Sequence, residues 1–221
     1  SRTVGRSPGI FNLCVVSTLS ESQLYIFILL WTPALRALDT HPEIDGYPGP
    51  PLGIVFASFM VSCMFGTSVF AILTAHGMRP SLLLVFVLLL SAISCLTIAK
   101  TKNDTTSYIA MLAFEAAIGA YYPAMSTVKS AIVPEDQRAA IYSVFRLPLN
   151  LMVLLNLVSN LEIEQSFGVC AAMLGLATLL QFRAAVWEGR SGGATATIAT
   201  STVQSSKANE MRPLLKSKDS T

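Results

Sequence analysis

Six apolar stretches of membrane-spanning length constrain this chain more than any other feature of its sequence. A helix needs about 17–25 mainly apolar residues to cross the hydrocarbon core of a bilayer. A spanning segment has to satisfy its backbone hydrogen bonds internally, so each stretch is predicted to be a helix. The expected fold class is an all-α membrane protein with six transmembrane helices, at residues 10–32, 52–73, 81–99, 107–128, 139–159 and 166–187.

The scarcity of charge extends over almost the whole chain. Charged residues make up 13% of it and hydrophobic residues 52%, whereas soluble domains carry about 25% charged residues. The lipid bilayer is therefore the expected surrounding, and a net charge of +2 is too small to indicate a nucleic-acid partner. We expect a cytoplasmic lead-in at residues 1–9, a transmembrane half-domain at 10–188 and a tail at 189–221 that is disordered by composition.

The motifs that identify common enzymes and metal sites are absent from the sequence. Its four cysteines lie in apolar runs without CxxC spacing, and its two histidines lie in connectors. There is no Gly-rich phosphate loop, HExxH motif or nucleophile elbow. The sequence predicts no enzyme, no metal site and no cofactor.

Lysine and arginine in the connectors predict the orientation. Positive charge accumulates on the cytoplasmic side of membrane proteins. Six such residues precede the tail on the side of the termini and three lie on the other side, which places both termini in the cytoplasm.

The sequon at Asn103 then faces away from the cytoplasm, as a weak glycosylation site close to the membrane. Glu210, Leu214 and Leu215 in the tail resemble an acidic dileucine sorting signal that adaptor proteins would bind.

Three ionisable residues lie inside the predicted spans: Glu21, Glu115 and Arg146. Such residues are costly in a bilayer and by default indicate function, so a polar path for a solute or a proton is expected beside them. Helices three and six carry none and are predicted to face lipid, as is the Leu/Val run at 82–90. The alternative is a buried pair between Arg146 and one glutamate that only fixes helix packing.

Helical spacing groups further polar residues with these charges. Tyr142, Arg146 and Asn150 follow one another at i, i+4 and i+8, so they share a face of helix five, where Pro148 predicts a kink. Glu115, Gly119 and Tyr122 share a face of helix four. Small residues at i, i+4 and i+8 predict packing surfaces on helix two, at Ser58, Ser62 and Gly66, and on helix six, at Ala171 and Gly175.

The connector at 133–138, VPEDQR, resembles the acidic-arginine motif of a cytoplasmic loop in the major facilitator superfamily. This resemblance implies the C-terminal half of a major facilitator fold, an inverted 3+3 repeat whose helices one and four carry Glu21 and Glu115. The substrate site would lie between this half and a missing N-terminal six-helix half. The loop at 75–80, AHGMRP, departs from the superfamily's usual Gly- and Asp-rich loop.

Three segments, at 20–33, 51–60 and 115–149, resemble the molybdate-anion transporter family in order along the chain. The resemblance implies a secondary transporter that takes up molybdate or a related oxyanion. Arg146 would attract the dianion, and at least one glutamate would be protonated or paired with Arg146, which suggests proton coupling. The expected hydrogen-bond donors are Trp31, Tyr121, Tyr122, Tyr142 and Asn150.

Two other functions stay open at this point. One is a major facilitator carrier for a neutral solute such as a sugar, and the other is a non-transporting membrane receptor or sensor. We expect the protein in the plasma membrane, with endosomal, lysosomal or vacuolar membranes as alternatives if the tail signal is used.

Overall fold

The computed structural model describes residues 8–38, 51–132, 138–159 and 161–187. Within these ranges it consists of six helices and has no strand, so the all-α prediction is confirmed. The helices are α1 Pro8–Leu38, α2 Leu52–Ala75, α3 Pro80–Lys100, α4 Asp104–Ile132, α5 Arg138–Val158 and α6 Ile163–Trp187. The predicted sorting signal at Glu210, Leu214 and Leu215 lies outside the described residues.

The chain divides into two units, Ser1–Phe182 and Arg183–Thr221. Of the second unit, the structure describes residues 183–187, which are helical and end α6. The packing and the site described below belong to the first unit.

Four of the six predicted spans, α1, α2, α3 and α6, are long and apolar enough to cross a membrane. The other two are long but partly polar. α4 has 29 residues and begins with Asp-Thr-Thr-Ser, and α5 carries Arg146 and Asn150 within its 21 residues. Polar spans are stable in a bilayer where they face protein or a water-filled cavity. The two partly polar helices are therefore the ones expected beside a polar path.

α1 is longer than predicted. The sequence indicated an end at Thr32 because Pro33 follows, but the helix continues through Pro33 to Leu38. Proline removes one backbone donor and is tolerated in membrane helices where neighbouring groups satisfy the freed carbonyl. The predicted boundary was therefore wrong by six residues.

α4 lies at the centre and packs against α2, α3 and α1, while α1 also packs against α5. α2 and α4 run parallel, because Ser58 meets Tyr108 and, one turn on, Ser62 meets Leu112. α1 and α4 run antiparallel. Near the start of α1, a Cβ on Gly9 would lie 3.8 Å from Ile132 at the end of α4.

The small-residue face predicted on α2 is confirmed as a packing surface against α4. The Ser58 hydroxyl lies 2.7 Å from that of Tyr108, and the Ser62 hydroxyl donates to the Leu112 carbonyl at 2.7 Å. A Cβ on Gly66 would overlap the backbone of Ala116. On α6 Ala171 is buried in the core as predicted, but a Cβ on Gly175 would meet no atom within 4 Å, so the prediction of close packing was wrong at Gly175.

The Leu/Val run on α3 faces lipid only in part. Five of its residues are buried in the protein, namely Leu83, Leu84, Val85, Val87 and Leu88, whereas Phe86, Leu89 and Leu90 are exposed. The apolar side chains on α2 are more exposed, since Ile54, Val61, Met64 and Phe65 are each about two-thirds exposed or more, at 70%, 66%, 71% and 65%. The prediction was wrong for the buried residues because lipid tails and protein interiors are equally apolar, so hydropathy does not distinguish them.

Four phenylalanines from four helices meet in the core. The ring of Phe27 on α1 stacks on Phe114 of α4 with centroids 4.4 Å apart. It also contacts Phe59 of α2 at 6.0 Å and Phe167 of α6 at 6.3 Å. All four are almost fully buried. Phe27 therefore joins α1 to three other helices.

Asn103 caps the start of α4, and removing its side chain is expected to lower stability. The Thr106 N–H donates to Asn103 Oδ1 at 3.1 Å. Loss of such a cap costs about 1 kcal/mol. For Asn103→Ala we expect a fall in the thermal midpoint of the purified full-length protein of about 2–4 °C. Asn103→Asp keeps the acceptor and should hold the wild-type midpoint.

Asn103→Ala and Asn103→Asp both remove the sequon, so neither variant can carry a glycan at this position. A difference between their thermal midpoints therefore reports the helix cap. Equal midpoints for the alanine and aspartate variants would contradict the capping role. Glycosylation of Asn103 itself stays a prediction.

Candidate functional site

A half-buried ion pair joins α1 to α4. Glu21 Oε1 lies 2.8 Å from the Lys129 ammonium, and the two side chains are 24% and 15% exposed. The pair forms because α4 continues past residue 128 to Ile132, which makes Lys129 helical. Helical side chains lean toward the N-terminus of their helix. Lys129 is therefore directed back along α4 to Glu21.

Two hydroxyl groups complete the surroundings of Glu21 Oε1. Ser17 donates to it at 2.6 Å from one turn earlier on α1, and Tyr121 of α4 donates at 3.4 Å. Ser20 in turn donates to the Tyr121 oxygen at 3.2 Å. No residue in the described part of the chain donates to the other oxygen, Oε2. Three donors thus converge on a single carboxylate oxygen.

The third helix at this site is α5. The Lys129 ammonium lies 5.5 Å from the centre of the Tyr142 ring, which is within the range of a cation–π contact. Tyr122 lies beside Tyr121 with the ring centroids 5.6 Å apart. Tyr121 is buried, while Tyr122 is half-exposed. We refer to Ser17, Glu21, Tyr121, Lys129 and Tyr142 as the Glu21–Lys129 cluster.

Glu115 lies outside this cluster. It is buried, one turn before Gly119, whose Cβ would overlap the Cys63 backbone of α2. Glu115 therefore belongs to the part of α4 that packs on α2. It makes no hydrogen bond or ion pair with any residue that the structure describes.

Trp31 is also separate from the cluster. Its ring packs edge-on against Phe59 with the centroids 5.3 Å apart. Ten residues separate Trp31 from Glu21, which is about 15 Å along α1. Trp31 is thus in contact with the aromatic core.

Arg146 and Asn150 are exposed on α5, one and two turns after Tyr142. Neither makes a hydrogen bond or ion pair with another residue in the described ranges. The predicted alternative of a buried pair between Arg146 and a glutamate is therefore wrong. Glu21 is instead paired with Lys129, because the antiparallel packing of α1 and α4 brings these two side chains together.

The sequence prediction missed Lys129. It counted this residue as a connector charge that reports orientation. A signal was present, because Tyr121, Met125 and Lys129 follow one another at i, i+4 and i+8 and so share a face of α4. Of the predicted site residues, the structure brings together Glu21, Tyr121, Tyr122 and Tyr142. Trp31 and Glu115 lie outside this group, and Arg146 and Asn150 follow Tyr142 along α5 without a hydrogen bond or ion pair to the group.

Comparison with known proteins identifies the family. A model of a major facilitator family described as sugar transporters with 12 transmembrane helices matches residues 1–113, which is just over half of the chain. The chain belongs to this major facilitator family. Its six described helices fit part of a major facilitator fold, so the predicted fold class is confirmed.

Among curated proteins, this major facilitator chain is similar to several named molybdate-anion transporter. The protein from Danio rerio is 39% identical over 151 residues, which cover 65% of this chain and 29% of that protein. The protein from Takifugu rubripes is 35% identical over 75% of this chain and 36% of its own length. The protein from Xenopus laevis is 32% identical over 80% of this chain and 40% of its own length. The matches therefore span about a third of these relatives.

Proposed function

We propose that this chain forms the C-terminal six-helix half of a carrier that takes molybdate, or a related oxyanion, into the cytoplasm. The observation that carries the proposal is the 32–39% identity, over 65–80% of the chain, to proteins named molybdate-anion transporter. A twelve-helix family supports an N-terminal half as the missing partner. Such a carrier performs transport and needs no catalytic residue or cofactor.

The charges of the half-domain fit an anionic substrate. Glu21 is neutralised by Lys129 at 2.8 Å, so this acid adds no net repulsion. Arg146 is exposed and, within the described residues, has no acidic partner. An unpaired guanidinium presents five donors in a planar fork that matches an oxyanion. Tyr142 and Asn150, one turn away on either side, supply further donors at this face of α5.

Replacing Arg146 with alanine is expected to reduce molybdate uptake at least tenfold, because the attraction for the dianion is lost. The measurement is uptake of labelled molybdate by the full-length protein in cells without other molybdate carriers, normalised to its amount in the membrane. Arg36→Ala removes an exposed arginine of α1 and serves as the matched control. Undiminished uptake by Arg146→Ala would show that Arg146 is dispensable. A wild-type protein that does not take up molybdate would remove molybdate from the proposal.

A carrier for a neutral solute such as a sugar is the second candidate, because the matching family is described as sugar transporters. In that case Arg146 would act as a gate that controls the access of the solute to its path, and it would not bind the substrate. Competition experiments separate the two functions. If the protein is an oxyanion carrier, tungstate and sulfate should inhibit its uptake of labelled molybdate and glucose should not. If it is a sugar carrier, glucose should inhibit its uptake of labelled sugar, and tungstate and sulfate should not.

The same proposal includes a location. Both termini lie in the cytoplasm, supported by the excess of lysine and arginine in the connectors on that side. The plasma membrane is the proposed site, and adaptor binding to the tail signal would move the carrier to endosomal, lysosomal or vacuolar membranes. Blocking adaptor-dependent sorting and following the labelled protein tests this part independently of transport.

A further inference from the structure

We propose that a water molecule is bound between α1 and α6 in the middle of the span, with the amide oxygen of Gln23 as its principal partner. The water donates one hydrogen bond to Gln23 Oε1 and the other to Ser22 Oγ. It completes the polar contact between the two helices at a place where the protein excludes bulk water. This site is separate from the Glu21–Lys129 cluster and does not depend on the identity of the substrate.

Gln23 lies at the centre of α1 and is fully buried. It is fifteen residues from either end of the helix, which is about 22 Å in each direction. Its amide faces α6, because Nε2 donates to the Met173 sulfur at 3.1 Å. One turn further along α1, Phe27 contacts Phe167 of α6. The amide is therefore enclosed where α1 and α6 pack together.

Both hydrogens of the Gln23 amide have partners, but its oxygen has none within the described ranges. Nε2 donates to the Met173 sulfur and, at 3.2 Å, to the Ser22 hydroxyl. No donor among the described residues reaches Oε1. A buried amide oxygen without a hydrogen bond is energetically costly, and ordered water is a common partner of such groups. The oxygen therefore requires a donor that this part of the chain does not supply.

Exchanging the oxygen and the nitrogen of the amide does not remove this requirement. The exchanged oxygen would face the Met173 sulfur, which has no hydrogen to donate. It would also face the Ser22 hydroxyl, whose hydrogen is directed to the Leu19 carbonyl at 3.2 Å. Neither of these contacts offers a donor, so the amide oxygen lacks a partner in both orientations.

Further polar groups around the amide provide the remaining partners of a water. The Ser22 hydroxyl accepts one hydrogen bond from Gln23 and has a second lone pair. Thr18 lies one turn before Ser22 on the same face of α1 and is also buried. Its Oγ1 has no oxygen or nitrogen partner among the described residues and lies beside the thiol of Cys14. A buried water makes two to four hydrogen bonds, and these groups are sufficient for one.

The chemistry of the site favours a neutral ligand over an ion. An ion in an apolar interior is far more costly than a neutral polar group unless an opposite charge accompanies it. The neighbouring carboxylate on α1, that of Glu21, is already paired with Lys129 at 2.8 Å. Water supplies the missing hydrogen to Gln23 without adding a charge.

The test is X-ray radiolysis of the full-length protein, which converts water into hydroxyl radicals, followed by mass spectrometry. A radical formed from a bound water oxidises the side chains that it touches. Met173 should be oxidised roughly tenfold or more faster than Met111, which is fully buried in the apolar core. Gln23→Leu removes the amide and should lower the rate at Met173 to that of Met111.

Gln181→Leu is the matched control. Gln181 is a second buried glutamine, and its Nε2 donates to the Ser81 carbonyl at 3.4 Å. This variant should keep the wild-type rate of oxidation at Met173. A variant that fails to fold would be recognised by fast oxidation of Met111, and the comparison of the two methionines in the wild type then decides.

Two results would overturn the inference. One is oxidation of Met173 in the wild type that is as slow as that of Met111. The other is an unchanged fast rate at Met173 in a folded Gln23→Leu variant, which would show that bulk water reaches this methionine. Both results leave the proposed molybdate uptake unaffected.

Discussion

Replacing Gly119 with alanine is expected to lower the thermal midpoint of the protein by about 5 °C or more, although alanine is the better helix former by about 1 kcal/mol. A Cβ at this position would overlap the Cys63 carbonyl and lie 2.7 Å from its carbon. Both atoms belong to the backbone of α2, so no side-chain movement relieves the overlap. α2 and α4 would have to separate by roughly 1.5 Å to restore an ordinary carbon–oxygen contact.

That separation would break hydrogen bonds between α2 and α4 at the glycine and two turns before it. Thr67 donates to the Gly119 carbonyl at 2.9 Å, and Ser62 donates to the Leu112 carbonyl at 2.7 Å. The overpacking cost of about 1–3 kcal/mol and the loss of these hydrogen bonds together exceed the gain in helix propensity of about 1 kcal/mol. The measurement is thermal unfolding of the detergent-solubilised full-length protein.

Gly175→Ala on α6 is the matched control for this prediction. A Cβ on Gly175 meets no atom within 4 Å, so only the helix propensity changes. Its midpoint should equal or exceed that of the wild type. If Gly119→Ala behaves like Gly175→Ala, α2 and α4 do not cross as closely as the structure indicates.

Phe27→Ala is expected to destabilise the protein by about 2 kcal/mol or more. Phe27 is 1% exposed and contacts aromatic rings of α2, α4 and α6. Lipid is as apolar as the protein interior, so the loss comes from packing contacts and from the cavity rather than from transfer out of water. The free energy of unfolding, measured in detergent or lipid with denaturant, reports the effect.

The control for Phe27→Ala is the same substitution at a phenylalanine that is exposed. Phe86 of α3 is 55% exposed, and Phe86→Ala should change the free energy of unfolding by no more than about 0.5 kcal/mol. Phe27→Leu fills part of the cavity and should recover part of the loss. Equal effects of the alanine substitutions at Phe27 and Phe86 would show that the four-helix aromatic contact does not hold the bundle together.

α4 connects these packing contacts to the Glu21–Lys129 cluster. Its Gly119 lies against α2, and the cluster residue Tyr121 lies two positions further along the chain and faces α1. A displacement of α4 at Gly119 would therefore move the donors around Glu21. Gly119→Ala should reduce transport as well as stability, whereas Phe86→Ala should reduce neither.

The sequence by itself determined the helices and the class of protein. Its apolar segments are long enough to cross a bilayer, and a single segment that crosses lipid can satisfy its backbone hydrogen bonds only as a helix. It also identified Ser58, Ser62 and Gly66 as a packing face, since small residues at helical spacing allow close approach. Glu21, Tyr121 and Tyr142, which the sequence proposed as site residues because polar groups in apolar spans are rare, lie together in the structure. Local spacing was sufficient for each of these predictions.

Only the tertiary structure decided which side chains are partners. Glu21 and Lys129 are 108 positions apart, and their pairing depends on the antiparallel packing of α1 and α4 and on the extension of α4 beyond residue 128. Hydropathy also did not separate the buried face of α3, which includes Leu83, Leu84 and Leu88, from its exposed face, because protein and lipid are equally apolar surroundings. Charge partners and buried faces follow from distances between helices, and helical periodicity within one segment contains no information about those distances.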